Sequence, residues 1–247
     1  MEADWQFYPA PRGGHQAFVF FDQAYAASAD TDARPYSLKI RAQLKRPAPD
    51  GFPGEDEHAD LAVLQQSLIA SIAALDGVMV GRITHDGVRV FYFYVNFLRD
   101  TASDIVRSVG VATRYDLKFM HRVDRNKRDY WGEVHPQPDD LQVIADMRVL
   151  DSMEAKGDVQ DAVRGITHRV RMVNEAVARD FAAWANSAGY RVDTLEVLDT
   201  GAVTVEFVHA GTLLMLDITR HTVAISRAAR ERRGEYIGWQ APIQPQD

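Results

Sequence analysis

Twice along its length the chain runs through one succession of apolar periods: alternation, a helical stretch, two alternating stretches joined by a tight turn, a second helical stretch and a closing alternation. Few folds satisfy such a segment. Each alternating strand has one apolar face and each helix one apolar stripe, so all of them must meet in a shared core.

In the first copy Tyr36 to Leu44 alternates as a strand, and the acidic cluster Glu55, Asp56, Glu57 opens a helix where negative charge suits the N-terminal dipole. Leu61, Leu64, Leu68, Ile72 and Leu75 recur at helical spacing, and Gly77 marks the stop. Val78 to Thr84 and Val88 to Val95 are strands joined through Asp86-Gly87, a pair suited to the positive backbone angles of a hairpin. Thr101 with Asp104 has the pattern of a capping box ahead of Ile105, Val106 and Val109, and Leu117, Phe119 and Val123 alternate in a closing strand. Upstream, Trp5 to Tyr8 and Gln16 to Asp22 are expected to form a hairpin around Arg12-Gly13-Gly14 that extends this sheet.

The second copy begins with Ile166, His168, Val170 and Met172 as one strand face, then Asn174 as N-cap of a helix bearing Val177, Phe181 and Trp184 and ended by Gly189. Tyr190 to Leu198 and Ala202 to His209 are strands meeting at Asp199-Thr200-Gly201. Ile218, Thr222, Ile225 and Ala229 mark a second helix, and Tyr236 to Trp239 a short last strand. An antiparallel sheet with both helices on one face is the economical way to bury such a set. The chain is therefore predicted to be α+β, with two tandem ferredoxin-like βαββαβ domains.

The seam lies between Tyr130 and Gly157, where Trp131 and the Pro136 to Pro138 turn lead into a polar helical stretch. This gives domains over 1–138 and 139–247, with 139–157 as a linker helix. At 247 residues the chain accommodates two domains of about 120 residues, each able to bury a core. The absence of Cys excludes a disulfide framework, a thiolate zinc site and a cysteine nucleophile, and suits a reducing compartment. The acidic and aromatic start, Met1 to Pro11, lacks the pattern of a secretory signal, and the longest apolar runs, Ala17 to Phe21 and Val88 to Val95, are of strand length. A cytoplasmic, non-membrane protein is expected. The net charge of -7 disfavours indiscriminate binding to nucleic acid.

Asp199-Thr200-Gly201-Ala202 after Val197-Leu198 spells an aspartic-protease signature, but it falls where the second copy needs a hairpin turn, matching Asp86-Gly87 in the first. His168 and His209, on neighbouring strands near Glu206 or Asp217, offer imidazole and carboxylate groups to a metal or a hydrolytic site. Their spacing is not that of a metal motif, and neither a metal nor a cofactor is expected. Walker loops and nucleophile elbows are absent from the sequence. Phe91, Tyr92, Phe93 and Tyr94 read as a core strand rather than a base-stacking platform.

On the last helix Arg220, Arg227 and Arg230 share the face opposite the apolar stripe, with Arg232 and Arg233 beyond. Guanidinium pairs bidentately with carboxylate or phosphate, so this stripe suits an acidic protein surface or RNA as readily as a solvated face.

The segments Ile166-Thr167-His168-Arg169-Val170, Ala188-Gly189-Tyr190-Arg191-Val192, Leu216-Asp217-Ile218 with Thr222, and Tyr236-Ile237-Gly238-Trp239 resemble the type B regulator of ribonuclease E activity. Trp5-Gln6-Phe7-Tyr8, Gly81-Arg82-Ile83-Thr84, Gly87, Phe91 to Tyr94 and Trp131 make the first half similar to the bacterial domain-of-unknown-function family 695. The first resemblance implies inhibition of an endoribonuclease by protein contact, with His168, Gly189, Tyr190 and Asp217 as family-motif positions. It offers no role for the first half. The usual Tyr-Asp-Gly-Trp ending is Tyr236-Ile237-Gly238-Trp239 in this chain, and an Arg-rich final helix stands where the family is strongly acidic. The expectation is a non-enzymatic regulatory protein that contacts a partner such as ribonuclease E through Arg220, Arg227, Arg230, Tyr236 and Trp239. The alternatives are a hydrolase using His168, His209 and Asp217, and RNA binding through the Arg face.

Overall fold

The Asp86-Gly87 turn closes as its sequence requires: in the computed structural model both residues take positive φ, 42° and 72°, between strands β4 (Val78–His85) and β5 (Val88–Val95). Residues 3–12 and 15–245 are described by the structure. They fall into two compact units, Met1–Gln137 and Pro138–Asp247.

In the first unit, β1 (Trp5–Arg12), β2 (His15–Asp22), β3 (Tyr36–Gln43), β4, β5 and β6 (Leu117–Val123) form an antiparallel sheet of order β1-β2-β4-β5-β3-β6. The strands β3, β4, β5 and β6 have the expected βαββαβ order, and β1–β2 extend the sheet beyond β4. Gly13 and Gly14 of the expected connecting turn lie outside the described residues. Helices α1 (His58–Ala73) and α2 (Arg99–Thr113) bury Leu61, Leu64, Leu68, Ile72, Val106 and Val109 against Leu38, Ile40, Phe91 and Phe93 of the sheet. Each such side chain fully removed from water contributes ~2 kcal/mol.

Three local expectations are corrected. Leu75 is exposed because α1 has already ended. The left-handed residue at that end is Asp76, not Gly77, although Gly77 is still needed because a Cβ there would come within 2.3 Å of Ile72 Cγ2. Thr101 and Asp104 make no capping box: α2 starts at Arg99 after an uncapped Leu98, and Asp104 instead pairs with Arg107 one turn on.

The other face of the same sheet is also covered. The segment after β6, with a π-helical turn at Tyr130–Val134, and the short 3-10 turns Ala24–Ala27 and Ala29–Thr31 lie over it. Alternation therefore buries all four of Phe91 to Tyr94, the phenylalanines under the helices and the tyrosines under this cover. Tyr94 Oη donates to Asp124 (2.8 Å) and Tyr92 Oη to Glu133 (2.8 Å), while Lys39 reaches Asp129 (2.9 Å) and Glu133 (2.7 Å). Lys127, fully buried, donates to the Arg34 carbonyl with its ammonium 4.5 Å from the centre of the Tyr94 ring. Polar strand residues are thus buried but paired, as desolvation demands.

In the second unit, β7 (Arg164–Met172), β8 (Arg191–Val197), β9 (Val203–Gly211) and β10 (Glu235–Gln240) form an antiparallel sheet of order β10-β7-β9-β8, the same βαββαβ arrangement. Helices α4 (Glu175–Ser187) and α5 (Met215–Glu231) cover one face with Phe181, Ile218, Ile225 and Ala229. Asn174 caps α4 by accepting from the Val177 N–H (3.0 Å), and Gly189 ends it at φ 88°. The Asp199-Thr200-Gly201 triplet is a turn, with Gly201 at φ 80°. The stretch expected to act as a linker is packed instead: α3 (Pro138–Glu154) buries Leu150 and Met153 in a cluster with Ile166, Leu213 and Ile218.

Candidate functional site

α5 carries both of the features that its spacing suggested. Ile218, Thr222, Ile225 and Ala229 are fully buried, which turns Arg220, Arg227 and Arg230 outward. Arg227 and Arg230 do not stand free, however, because both reach Asp139 in the first turn of α3 at 2.6 Å. Partial burial would raise the Asp139 carboxyl, but the hydrogen bonds from the two arginines outweigh it and hold the group below the ordinary value. Arg220 lies 4.0 Å from Asp217, and Arg232 bonds Asp180 of α4 at 2.7 Å. The stripe thus fastens α3 to α5. The arginine side chains remain 61% and 39% exposed at 227 and 230, within reach of a competing anion.

Deeper in, Asp146 of α3 joins three elements. It is 1% exposed and accepts from Thr222 Oγ1 on α5 (2.5 Å), Trp239 Nε1 on β10 (2.9 Å) and Gln142 (2.9 Å). Burial pushes its carboxyl up even so. Trp239, expected at a partner surface, is therefore turned inward with its N–H spent on Asp146. Tyr236 is also turned inward, its hydroxyl 2.7 Å from His168 Nδ1.

His168 is the centre of a ring cluster. Its Nε2 lies 2.9 Å from His209 Nδ1, the two imidazoles are stacked at 5.0 Å, and His209 stacks in turn on His221 of α5 at 3.9 Å. Tyr190 Oη lies 2.8 Å from His221 Nδ1. A consistent proton arrangement has Tyr236 O–H donating to His168 Nδ1 and His168 Nε2–H donating to His209 Nδ1. Burial pushes His168 down to about 3 and His209 to about 4, because a charged imidazole would be stripped of water beside its neighbours.

The pair expected to meet across the sheet does meet, but the third member of the hydrolytic set does not join it: Asp217 accepts from Thr212 Oγ1 at 2.5 Å. Glu206 projects from the other face of β9, where it pairs with Arg169 at 2.7 Å. Among the described residues no group of three or more His, Asp or Glu side chains is arranged to hold a metal ion. Gly189 and Tyr190 serve as the α4 stop and the His221 partner. Asp139, Asp146 and His221 were missed from the sequence. Each is a polar residue whose partners come from other elements, so periodicity carries no signal of it.

Compared with known families, residues 3–131 match the family of unknown function DUF695, and residues 144–241 match the family described as regulator of ribonuclease activity B. No curated protein matches significantly. Among solved structures, a crystal structure of a hypothetical protein aligns over 100% of both chains at 11% identity with a TM-score of 0.21, a likeness too low to bear on the fold.

Proposed function

This chain belongs to the family of unknown function DUF695 through its first unit, and we propose that its second unit makes it a non-enzymatic regulator that binds a ribonuclease. The match of residues 144–241 to a regulator of ribonuclease activity carries this reading. The geometry agrees with binding better than with hydrolysis. His168 is wholly buried with both ring nitrogens engaged, and Asp217 is committed to Thr212, whereas a general base must reach a substrate proton.

The contact surface in this reading is the outer face of α5. Arg220, Arg227 and Arg230 recognise carboxylates on the partner, and Asp139 serves as an internal counter-charge that the partner displaces. Tyr236 and Trp239 act indirectly, by fixing β10 and α3 against α5 through His168 and Asp146. A protein surface that sets basic groups among its carboxylates suits this face better than RNA, because Asp139, Asp217 and Glu231 interleave the arginines: a mixed surface can pair with both signs, whereas a uniformly anionic phosphate backbone meets repulsion at each acid.

Calorimetric titration of the full chain with ribonuclease E, together with an RNA-cleavage assay, tests the reading. Saturable binding, slower cleavage and at least a tenfold loss on combining Arg220→Glu with Arg227→Glu are expected. No association and unaltered cleavage would overturn it. Binding of RNA alone, falling steeply with salt and lost on replacing Arg220, Arg227 and Arg230, would put the RNA reading in its place.

A further inference from the structure

Two helices suffice for a four-stranded sheet, but the first unit has six strands. On the helix-bearing face the added strands β1 and β2 present Phe7, Phe18 and Phe20, and Phe7 and Phe18 remain 54% and 39% exposed there. Beside α1 this uncovered strip becomes the floor of a groove of about 550 Å³, with Phe52 folded over it in ring contact with Phe18 at 5.0 Å. Arg82, Thr84 and Arg89 of β4 and β5 complete the lining, with His58 and Asp50 at its edge.

The two arginines are held by neutral partners. Arg89 is only 8% exposed, yet its hydrogen bond is to the neutral Thr84 hydroxyl at 2.9 Å. Arg82 lies over the Phe20 ring at 4.5 Å and donates to the neutral Gln65 of α1. Among the described residues neither has a carboxylate partner. The nearby acids are committed elsewhere: Glu57 accepts from the Lys45 and Arg46 N–H groups at 2.8 Å each and from Tyr115 at 2.9 Å, and Asp50 accepts from the Phe52 N–H at 3.0 Å. Burial, reinforced by the like charge of Arg82, pushes Arg89 down to about 10, outweighing the opposing influence of Tyr115 and of Glu57, with which Arg89 makes no ion pair. Buried charge is ordinarily paired, and pairing one with a carboxylate of the protein would take a single substitution.

We propose that this groove is a binding site for an amphipathic organic anion, its carboxylate or phosphate head held by Arg82 and Arg89 and its apolar body laid along Phe7, Phe18, Phe20 and Phe52. The planar forks of two guanidiniums fit an oxyanion, and the aromatic floor supplies the apolar contact that a bare ion would leave unused. The site is independent of the ribonuclease-binding reading, which concerns the other unit.

The test is displacement of 8-anilinonaphthalene-1-sulfonate fluorescence from the full chain by octanoate, octyl phosphate, octanol and inorganic phosphate. Octanoate or octyl phosphate should compete at least tenfold better than octanol and inorganic phosphate, and the better of the two identifies the head group. Arg82→Gln should remove that advantage without altering competition by octanol, and Phe18→Ser should weaken the anions and octanol alike. Arg89→Gln is expected to behave as Arg82→Gln, and should it fail to fold by circular dichroism the other two variants decide. Equal competition by octanoate, octyl phosphate and octanol, displacement by inorganic phosphate alone as good as by the amphiphiles, or indifference to both Arg82→Gln and Phe18→Ser would overturn the proposal.

Discussion

Acidification should loosen the second unit through His168. In the unfolded chain this imidazole takes up a proton near the ordinary value of about 6.5, whereas in the fold it stays neutral until about 3. The unfolded state therefore binds the extra proton throughout that window, and stability is full above it and falls as the pH drops. Each pH unit below the ordinary value costs about 1.4 kcal/mol, so lowering the pH from 7 to 5 removes roughly 2 kcal/mol through His168 alone. His209 acts in the same direction. Asp146 acts in the opposite one, since its raised carboxyl lets the folded state bind a proton before the unfolded chain does, and this part-offset develops as the pH falls through its titration range. The assay is urea unfolding at pH 7, 6 and 5, followed by the fluorescence of Trp184 and Trp239 with Trp5 and Trp131 of the first unit replaced by Phe. A melting point lowered by about 10 °C at pH 5 is the thermal counterpart. His168→Gln should unfold more easily at pH 7 but lose about 2 kcal/mol less on going to pH 5. An NMR titration of the native protein in which His168 protonates near its ordinary value, or a variant whose pH slope equals that of the wild type, would refute the reasoning.

Asp139→Ala releases Arg227 and Arg230; because the arginines are well exposed, the stability loss should stay below about 1 kcal/mol in urea unfolding, while affinity for an acidic partner on the α5 face should rise. Gly81→Ala would place a Cβ 2.4 Å from Val134 Cγ1 and 2.8 Å from the Phe20 carbonyl oxygen. The close backbone contact leaves little room to relax, and a loss of about 1–3 kcal/mol is expected by chemical denaturation of the first unit. Arg164 and Asp158 form an ion pair with side chains 1% and 0% exposed. Arg164→Ala leaves a buried carboxylate without its counter-charge, holding only the Gln244 N–H at 2.8 Å, and should cost about 3–5 kcal/mol, whereas Arg164→Met with Asp158→Leu should cost clearly less. Equal losses in the single and double variants, read from denaturation midpoints, would show that packing rather than charge governs that site.

Much of the fold was legible because it is written locally. Asp86-Gly87 and Asp199-Thr200-Gly201 name their own turns, Asn174 and Gly189 bracket α4, and the stripe Ile218, Thr222, Ile225, Ala229 identifies the buried face of α5 without reference to anything distant. From these follow the two βαββαβ copies. The approach of His168 to His209 was also legible, since neighbouring strands in a known order fix which residues face each other. What those residues do was not. Periodicity says that a face is covered or exposed; it does not say by what. Tyr92 and Tyr94 are buried because the segment 124–137 returns across the sheet, and Arg227 and Arg230 are neutralised because α3 folds back to place Asp139 beside them. Likewise, Phe7 and Phe18 line a groove because β1 and β2 extend past the reach of α1. By itself the sequence determined the elements, their caps and turns, and which side of each seeks the core. Only the tertiary structure decided which charges are spent internally and which are left without a counter-charge, because charge pairing depends on distances between segments far apart in the chain.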